Sequence, residues 1–299
     1  MRALAFLLPL ALSGCRAAMP DPTAPEVPDA DALRAQIEAI AARVPEATVM
    51  VAVRDGDFAL DLRADRDVHA ASTMKVPVMI EAFRQVEAGR LAWDDSVAVV
   101  NRFRSIVDGS TFAIGDDSDD ALYASLGGKM PLADLTRRAI TTSSNLATNL
   151  MMEVLRADSV QATVDALGGT GVKVLRGVED IKAFEAGLSN RATAAGLASL
   201  MLAIQEGRAV SPEASRAMVG ILLDQEFGEM IPAGLPSGVR VAHKTGWITR
   251  IHHDAAIVYP PEAEPYVLVI LTEGVDDHAR AAALGAEIAG VVHRTLRGE

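Results

Sequence analysis

Apolar residues first recur at helical spacing at Leu33, Ile37, Ile40 and Val44, which predicts a helix capped by Asp29 or Asp31. Two short β-type runs follow, residues 48–53 and 58–62, with Asp55-Gly56 between them as a hairpin turn requires. A second helix is expected from Ser72 to about Ala88, where Gly89 ends it. Residues 94–128 are rich in Asp and Gly and fit no single long element. Helical spacing returns at about 132–141, 146–156 and 160–167; a loop is expected over roughly 176–190 and a helix over 193–206. The last third reads as strands at 239–243, 255–259 and 266–272, then a closing helix from about 276 to 296. Pro260-Pro261, followed by the polar 262–264, suits a connection between neighbouring antiparallel strands.

Strands at both ends with helices between them predict an α/β (α+β) fold. Its antiparallel sheet is built from N- and C-terminal strands and flanked by helices, with an all-helical subdomain inserted. The α/β lobe is expected at about 31–70 and 208–299 and the helical lobe at about 71–207. The cleft between two such lobes is a common place for a small-molecule site. The first residues read differently. Arg2 precedes an apolar run from Leu4 to Leu12, which closes on Leu12-Ser13-Gly14-Cys15 in the manner of a bacterial lipobox. Residues 1–15 are therefore expected to be a lipoprotein signal peptide with Cys15 as the lipidation site, and residues 16–30 a Pro- and Ala-rich tether. The protein would be exported to the periplasmic or cell-surface side and would meet the membrane only through that lipid anchor.

Composition narrows the partners. The chain of 299 residues is 50% hydrophobic, enough for a substantial core, and 28 Lys+Arg against 40 Asp+Glu leave a net charge of −12. That balance argues against nucleic acid, a polyanion, as a ligand. Cys15 is the only cysteine, so no intramolecular disulfide forms.

Three short segments carry candidate chemistry. In Ser72-Thr73-Met74-Lys75, a hydroxyl and an amine three residues apart share a helix face, and a desolvated neutral lysine can help deprotonate a serine. The ordinary alternative is a capping serine followed by a solvated lysine. Ser143-Ser144-Asn145 joins two helical runs and could point a hydroxyl and an amide into a cleft, or simply cap the second helix. Lys244-Thr245-Gly246 ends an alternating strand run, where a cation and a hydroxyl could hold a carboxylate and the glycine would permit close approach. The alternative there is an exposed strand end with a turn glycine. His243, His252, His253 and Asp254 lie close in sequence, but adjacent strand residues face opposite sides, and no metal site is expected.

Together, and in this order, the segments match the S-x-x-K, S-D-N and K-T-G set of class A β-lactamases and penicillin-binding proteins. The surrounding text, Ser72-Thr-Met-Lys-Val-Pro-Val-Met79 and Ile140-Thr-Thr-Ser-Ser-Asn-Leu-Ala-Thr-Asn-Leu150, is similar as well. Residues 31–299 thus resemble a class A β-lactamase-like serine hydrolase of the penicillin-recognising superfamily, in lipoprotein form. The resemblance implies that Ser72 attacks a lactam carbonyl to form an acyl-enzyme, that Lys75 helps activate it and that Ser143 relays a proton. It implies that Asn145, Lys244, Thr245, Gly246 and Trp247 bind substrate, with the Ser72 and Trp247 amides as oxyanion hole. The implied enzyme is a monomer acting on a small-molecule β-lactam or cell-wall peptide, with no cofactor.

For deacylation the resemblance requires a glutamate on the loop after the helical subdomain, and Arg176-Gly-Val-Glu-Asp180 makes Glu179 the candidate. A loop Glu179 paired with Arg176 or Lys182 is the structural alternative, and Glu185 with Leu188 and Asn190 is a second, poorer match. The chain departs from the family in three places. The asparagine that helps hold water has no counterpart, because Lys182 and Ala183 stand there; Ser144 replaces the middle Asp of the second motif; and Trp247 is large where a small residue is common. No arginine securely matches the one that assists carboxylate binding, leaving Arg250 or His252, while Phe103 would line the cleft entrance or join the core. A serine DD-peptidase or esterase acting on cell-wall peptides would use Ser72, Lys75 and Ser143 equally; a non-catalytic envelope-binding lipoprotein with a decayed site is the other alternative, and the intact Ser72, Lys75, Ser143 and Lys244 speak against it.

Overall fold

A computed structural model of the chain describes residues 28–115 and 117–298. Cys15, the expected signal peptide and most of the expected tether lie outside the described residues. In chain order the elements are α1 (Ala30–Ala42), β1 (Thr48–Asp55), β2 (Phe58–Leu62), β3 (Val68–His69), α2 (Lys75–Glu87), β4 (Ser96–Ala98), β5 (Phe103–Arg104) and β6 (Thr111–Phe112). There follow α3 (Asp120–Tyr123), β7 (Lys129–Pro131), α4 (Leu132–Thr141), α5 (Asn145–Leu155), α6 (Ala157–Ala166), α7 (Ile181–Glu185) and β8 (Arg191–Ala192). The chain closes with α8 (Ala194–Gln205), α9 (Pro212–Leu223), β9 (Arg240–Ile248), β10 (Ile251–Tyr259), β11 (Tyr266–Glu273) and α10 (His278–Arg297).

The main sheet runs β2-β1-β11-β10-β9, and every neighbouring pair is antiparallel. The central strands β1 and β11 read as almost continuous apolar runs because both of their faces are covered. Side chains alternate between two cores, as the pleat demands. Val49, Val51 and Val53 of β1 join Leu268 and Ile270 of β11 under α1 and α10. Met50 and Ala52, with Val267, Val269 and Leu271, face α8 and the helical region built around α2 and α5. The expected antiparallel sheet flanked by helices is the observed architecture.

Local differences have local causes. Asp29, not Asp31, caps α1, accepting from the amides of Asp31 (2.9 Å) and Ala32 (3.1 Å). The strand expected at 239–243 continues to Ile248, so the third motif lies inside β9, because β10 pairs with it as far as Ile251. The expected helix at Ser72 begins as a 3-10 turn, Ala71–Met74, before α2 proper. Helix α9 is not among the helices the apolar spacing predicts, although Ser211 caps it (3.2 Å to the Ala214 amide) and Pro212 opens it. The loop expected at 176–190 holds the single turn α7. Among the described residues no helix is long and apolar enough to cross a membrane.

Candidate active site

The 3-10 turn matters for Ser72. With three residues per turn, side chains three apart are eclipsed, which aligns Ser72 with Lys75 more closely than an α-helical start would. The turn is held from several sides. The Ala71 amide donates to His69 Nδ1 (3.0 Å), the Ala70 amide to the Asn190 carbonyl (2.9 Å), and the His253 ring contacts the His69 carbonyl (2.9 Å). Burial, with Arg176 and Arg191 beside it, pushes His69 down to about 4, so its ring is neutral and free to accept. Ala71 is forced to φ 45°, the left-handed region, immediately before the serine.

Lys75 has no solvent exposure. Its Nζ donates to the Ser143 carbonyl (2.5 Å) and to Asn145 Oδ1 (2.8 Å), with Ser143 Oγ at 3.3 Å. Burial lowers its pKa to about 7 against the opposing fields of Asp117 and Glu179. Near neutral pH much of it is therefore an amine, whose two protons suffice for two carbonyl acceptors and leave a lone pair. Lys244, likewise without exposure, donates to Ser143 Oγ (2.9 Å) and to the Thr245 carbonyl (2.8 Å). Burial, then the charge of Lys75, pushes it well below its ordinary value, while Asp254 opposes.

Ser143 is thus clasped by both lysines, at φ 57°. Such strain costs about 1–3 kcal/mol and persists where the surroundings over-determine it. Ser144 takes the capping role at α5 through its own Oγ, 3.2 Å from the Ala147 amide, which leaves Ser143 and Asn145 available to the cleft. Asn145 bridges in one amide orientation: its carbonyl accepts from Lys75, and its Nδ2 donates to Glu179 Oε1 (2.7 Å).

Glu179 pairs with neither Arg176 nor Lys182. Its second oxygen accepts from the Gly115 amide (3.1 Å), while Lys182 binds Asp108 (2.7 Å) and Arg176 donates to the carbonyls of Leu188 (3.0 Å) and Gly177 (2.9 Å). Glu185 is exposed on α7. Three residues aim Glu179. Asn149 grips Val178 at both amide (2.6 Å) and carbonyl (3.0 Å), Asn190 closes the loop neck on Leu175 and Arg176, and Asp180 caps α7. Glu179 itself sits at φ 61°. Ser72, Asn145 and Glu179 line one cavity of about 360 Å³ with Val178, Ile181 and Phe184.

Gly246 explains how β9 joins the site. A Cβ there would stand 2.8 Å from the Ser72 amide nitrogen and 2.9 Å from that of Thr73, so only glycine lets the strand reach the nucleophile. Thr245, Gly246 and Trp247 line an adjoining cavity of about 220 Å³ with His252 and His278. The Trp247 indole is 59% exposed and packs on His278, with ring centroids 5.2 Å apart. Arg250 is not at the site: it sits at the β9–β10 turn against the Gly274 carbonyl and Asp276. Phe103 is core, packed on Phe112. The clustered histidines disperse, His243 to Asp254 (2.9 Å), His252 to His278 (3.1 Å) and His253 to His69.

Sequence reasoning missed Asn149, Asp117 and the role of Asn190. Asn149 had a signal, a polar residue on the buried apolar stripe of α5; Asp117 had none, standing in an Asp-rich stretch among equivalent acids.

A hydroxyl at the head of a turn, two buried lysines converging on a second serine, and a glycine strand edge against the Ser72 amide thus bring the three motif segments together in space. The model of the beta-lactamase enzyme family matches residues 32–296, and the chain belongs to that family. It is 30% identical over 177 residues to a β-lactamase of Streptomyces albus G, 56% of this chain and 55% of that one. A Bacillus amyloliquefaciens β-lactamase is 29% identical over 150 residues, so the chain spans about half the length of the curated relatives it matches. Among solved structures, a β-lactamase from Sphaerobacter thermophilus aligns with TM-score 0.78 and 25% identity, covering 91% of this chain and 99% of that one. PBP-A aligns with TM-score 0.79, 24% identity and 90% and 97% coverage, a likeness of fold.

Proposed function

We propose that this protein hydrolyses β-lactams through an acyl-enzyme on Ser72, with Glu179 activating the deacylating water. One observation carries the reading: an unbroken hydrogen-bonded chain from Lys244 through Ser143, Lys75 and Asn145 to Glu179, at whose cavity Ser72 stands. Neutral Lys75 takes the Ser72 proton as the hydroxyl oxygen attacks the lactam carbonyl. The Ser72 and Trp247 amides stabilise the oxyanion. Ser143, fed by both lysines, returns a proton to the lactam nitrogen as the C–N bond breaks. Glu179 then draws a proton from water as the water oxygen attacks the ester carbonyl; the acyl C–O bond to Ser72 breaks, and the proton passes from Glu179 to the departing Ser72 oxygen. Lys244 and Thr245 hold the substrate carboxylate, with Asn145 on the acylamide.

Nitrocefin turnover by the full chain, abolished in Ser72→Ala, tests the reading. Glu179→Ala is expected to trap an acyl-enzyme seen by mass spectrometry, with deacylation slowed at least 100-fold; unchanged turnover removes Glu179 from its role. Long-lived labelling of the wild type by a fluorescent penicillin would favour the cell-wall peptidase reading, and no label at all the non-catalytic one. The proposal includes export and tethering through Cys15, whose replacement by Ser should release the protein into the soluble fraction.

A further inference from the structure

A second carboxylate, besides Glu179, enters the catalytic network from outside the three motifs. Asp117 lies in the segment between β6 and α3, and its carboxylate accepts from the Ser144 hydroxyl (3.1 Å), the Asn145 amide (2.8 Å) and the Leu146 amide (2.8 Å). Tyr123 adds a hydroxyl at 3.4 Å. Its partners are the residue that replaces the middle Asp of the second motif and the two that follow. We propose that Asp117 is a positioning residue that supplies, from a neighbouring segment, the carboxylate the S-D-N pattern carries at its middle position. This rests on the reading of the cleft as the place where Ser72 is acylated.

Geometry argues first. Ser144 is neutral and its Oγ reaches the Ala147 amide, while the amides of Asn145 and Leu146 in the first turn of α5 find their acceptor elsewhere. Asp117 takes two of them with both of its oxygens and accepts from the Ser144 hydroxyl besides. That grip on residues 144–146 fixes the rotation of the backbone on either side, where Ser143 is held at φ 57° with its carbonyl and hydroxyl on Lys75 and Lys244. Asn145 is positioned by the same contact, and it joins Lys75 to Glu179.

Charge argues independently. Two lysines share this pocket, and the motif that meets them contributes no acid. Of the groups that oppose the effect of burial on Lys75, Asp117 acts most strongly, ahead of Glu179. An Asp at position 144 would set a second carboxylate within hydrogen-bond distance of Asp117. A plain helix cap would explain the amide contacts but would leave the proton affinity of Lys75 indifferent to the change.

The test moves the carboxylate. In the full chain, Asp117→Asn and Asp117→Asn/Ser144→Asp are compared with wild type by the pH dependence of nitrocefin acylation and by NMR titration of isotopically labelled Lys75. Asp117→Asn is expected to slow acylation at least tenfold and to move both the acidic limb and the Lys75 titration to lower pH. The double variant restores both. A lower melting temperature with the titration unmoved makes Asp117 a cap only and overturns the proposal. If wild type is inert to lactams while the titration shifts as stated, Asp117 keeps its place and the hydrolase reading falls. Should Asp117→Asn not fold, the double variant decides: a folded protein with wild-type Lys75 titration supports the proposal, and an unfolded one overturns it.

Discussion

A lysine with no solvent contact loses the hydration of its ammonium, and at Lys75 two carboxylates restore only part of it. Acylation should therefore rise with pH through about 7 and level off above, as the amine form fills. The same shift has a cost in stability. Between about 7 and 10.5 the unfolded chain binds a proton at this position that the folded one does not, so stability rises with pH across that window. Lys75→Met should flatten the rise in thermal melts from pH 7 to 10, an effect on the order of a few kcal/mol, and should reduce acylation by about a thousandfold. Ser143, Ala71 and Glu179 show the same economy at the backbone, each a non-glycine residue at positive φ where the site needs it.

The loop bearing Glu179 is shaped by neighbours more than by its own sequence. Asn149, 2% exposed, holds Val178 from α5, and Gly177 is pressed so closely on it that a Cβ would lie 2.2 Å from Oδ1. Asn149→Ala should destabilise the protein by about 1–3 kcal/mol and slow deacylation more than acylation, as separated by single-turnover kinetics. Gly246→Ala should impair acylation more than deacylation by displacing β9 from the Ser72 amide, and should also lower the melting temperature. At this scale the sequence was readable where periodicity was strong. The helix at 132–141 stands where spacing put it, and the hairpin forms one residue beyond the expected Asp55-Gly56, with Gly56-Asp57 as its two-residue turn. The nucleophile's turn was not, because a 3-10 start and an α-helical start share one apolar spacing. Nor was the full length of β9, because its C-terminal half, Thr245 to Ile248, is ordered by pairing with β10.

Across the whole molecule, the sheet separates two cores, and the cavity with Ser72 opens on the side of the larger one. Ile288 of α10 is fully buried in the other. Ile288→Ala should cost about 2–5 kcal/mol in denaturant melts yet leave nitrocefin kinetics at folded temperatures unchanged. Acid acts on the cleft side. His69 and His253 are both held down to about 4 by burial, so between about 6.5 and 4 the unfolded chain takes up protons that the folded one refuses. Stability should fall as pH drops through that window, and His69→Gln, whose carbonyl can still accept from Ala71, should lessen the fall.

The amino-acid sequence by itself determined the sheet and its flanking helices through alternation and helical spacing, and it named Ser72, Lys75, Ser143, Asn145 and Lys244 through three motifs whose order and settings are specific. Glu179 it offered as the candidate base, with Glu185 as a poorer second. Tertiary structure alone brought these segments to one hydrogen-bonded chain, withheld Glu179 from Arg176 and Lys182, and enlisted Asn149 and Asp117. The reason is physical. Helix and strand periodicity are local properties of the chain, whereas desolvation of a lysine, the aim of a loop carboxylate and the approach of a glycine edge to an amide exist only once distant segments share a space closed to water.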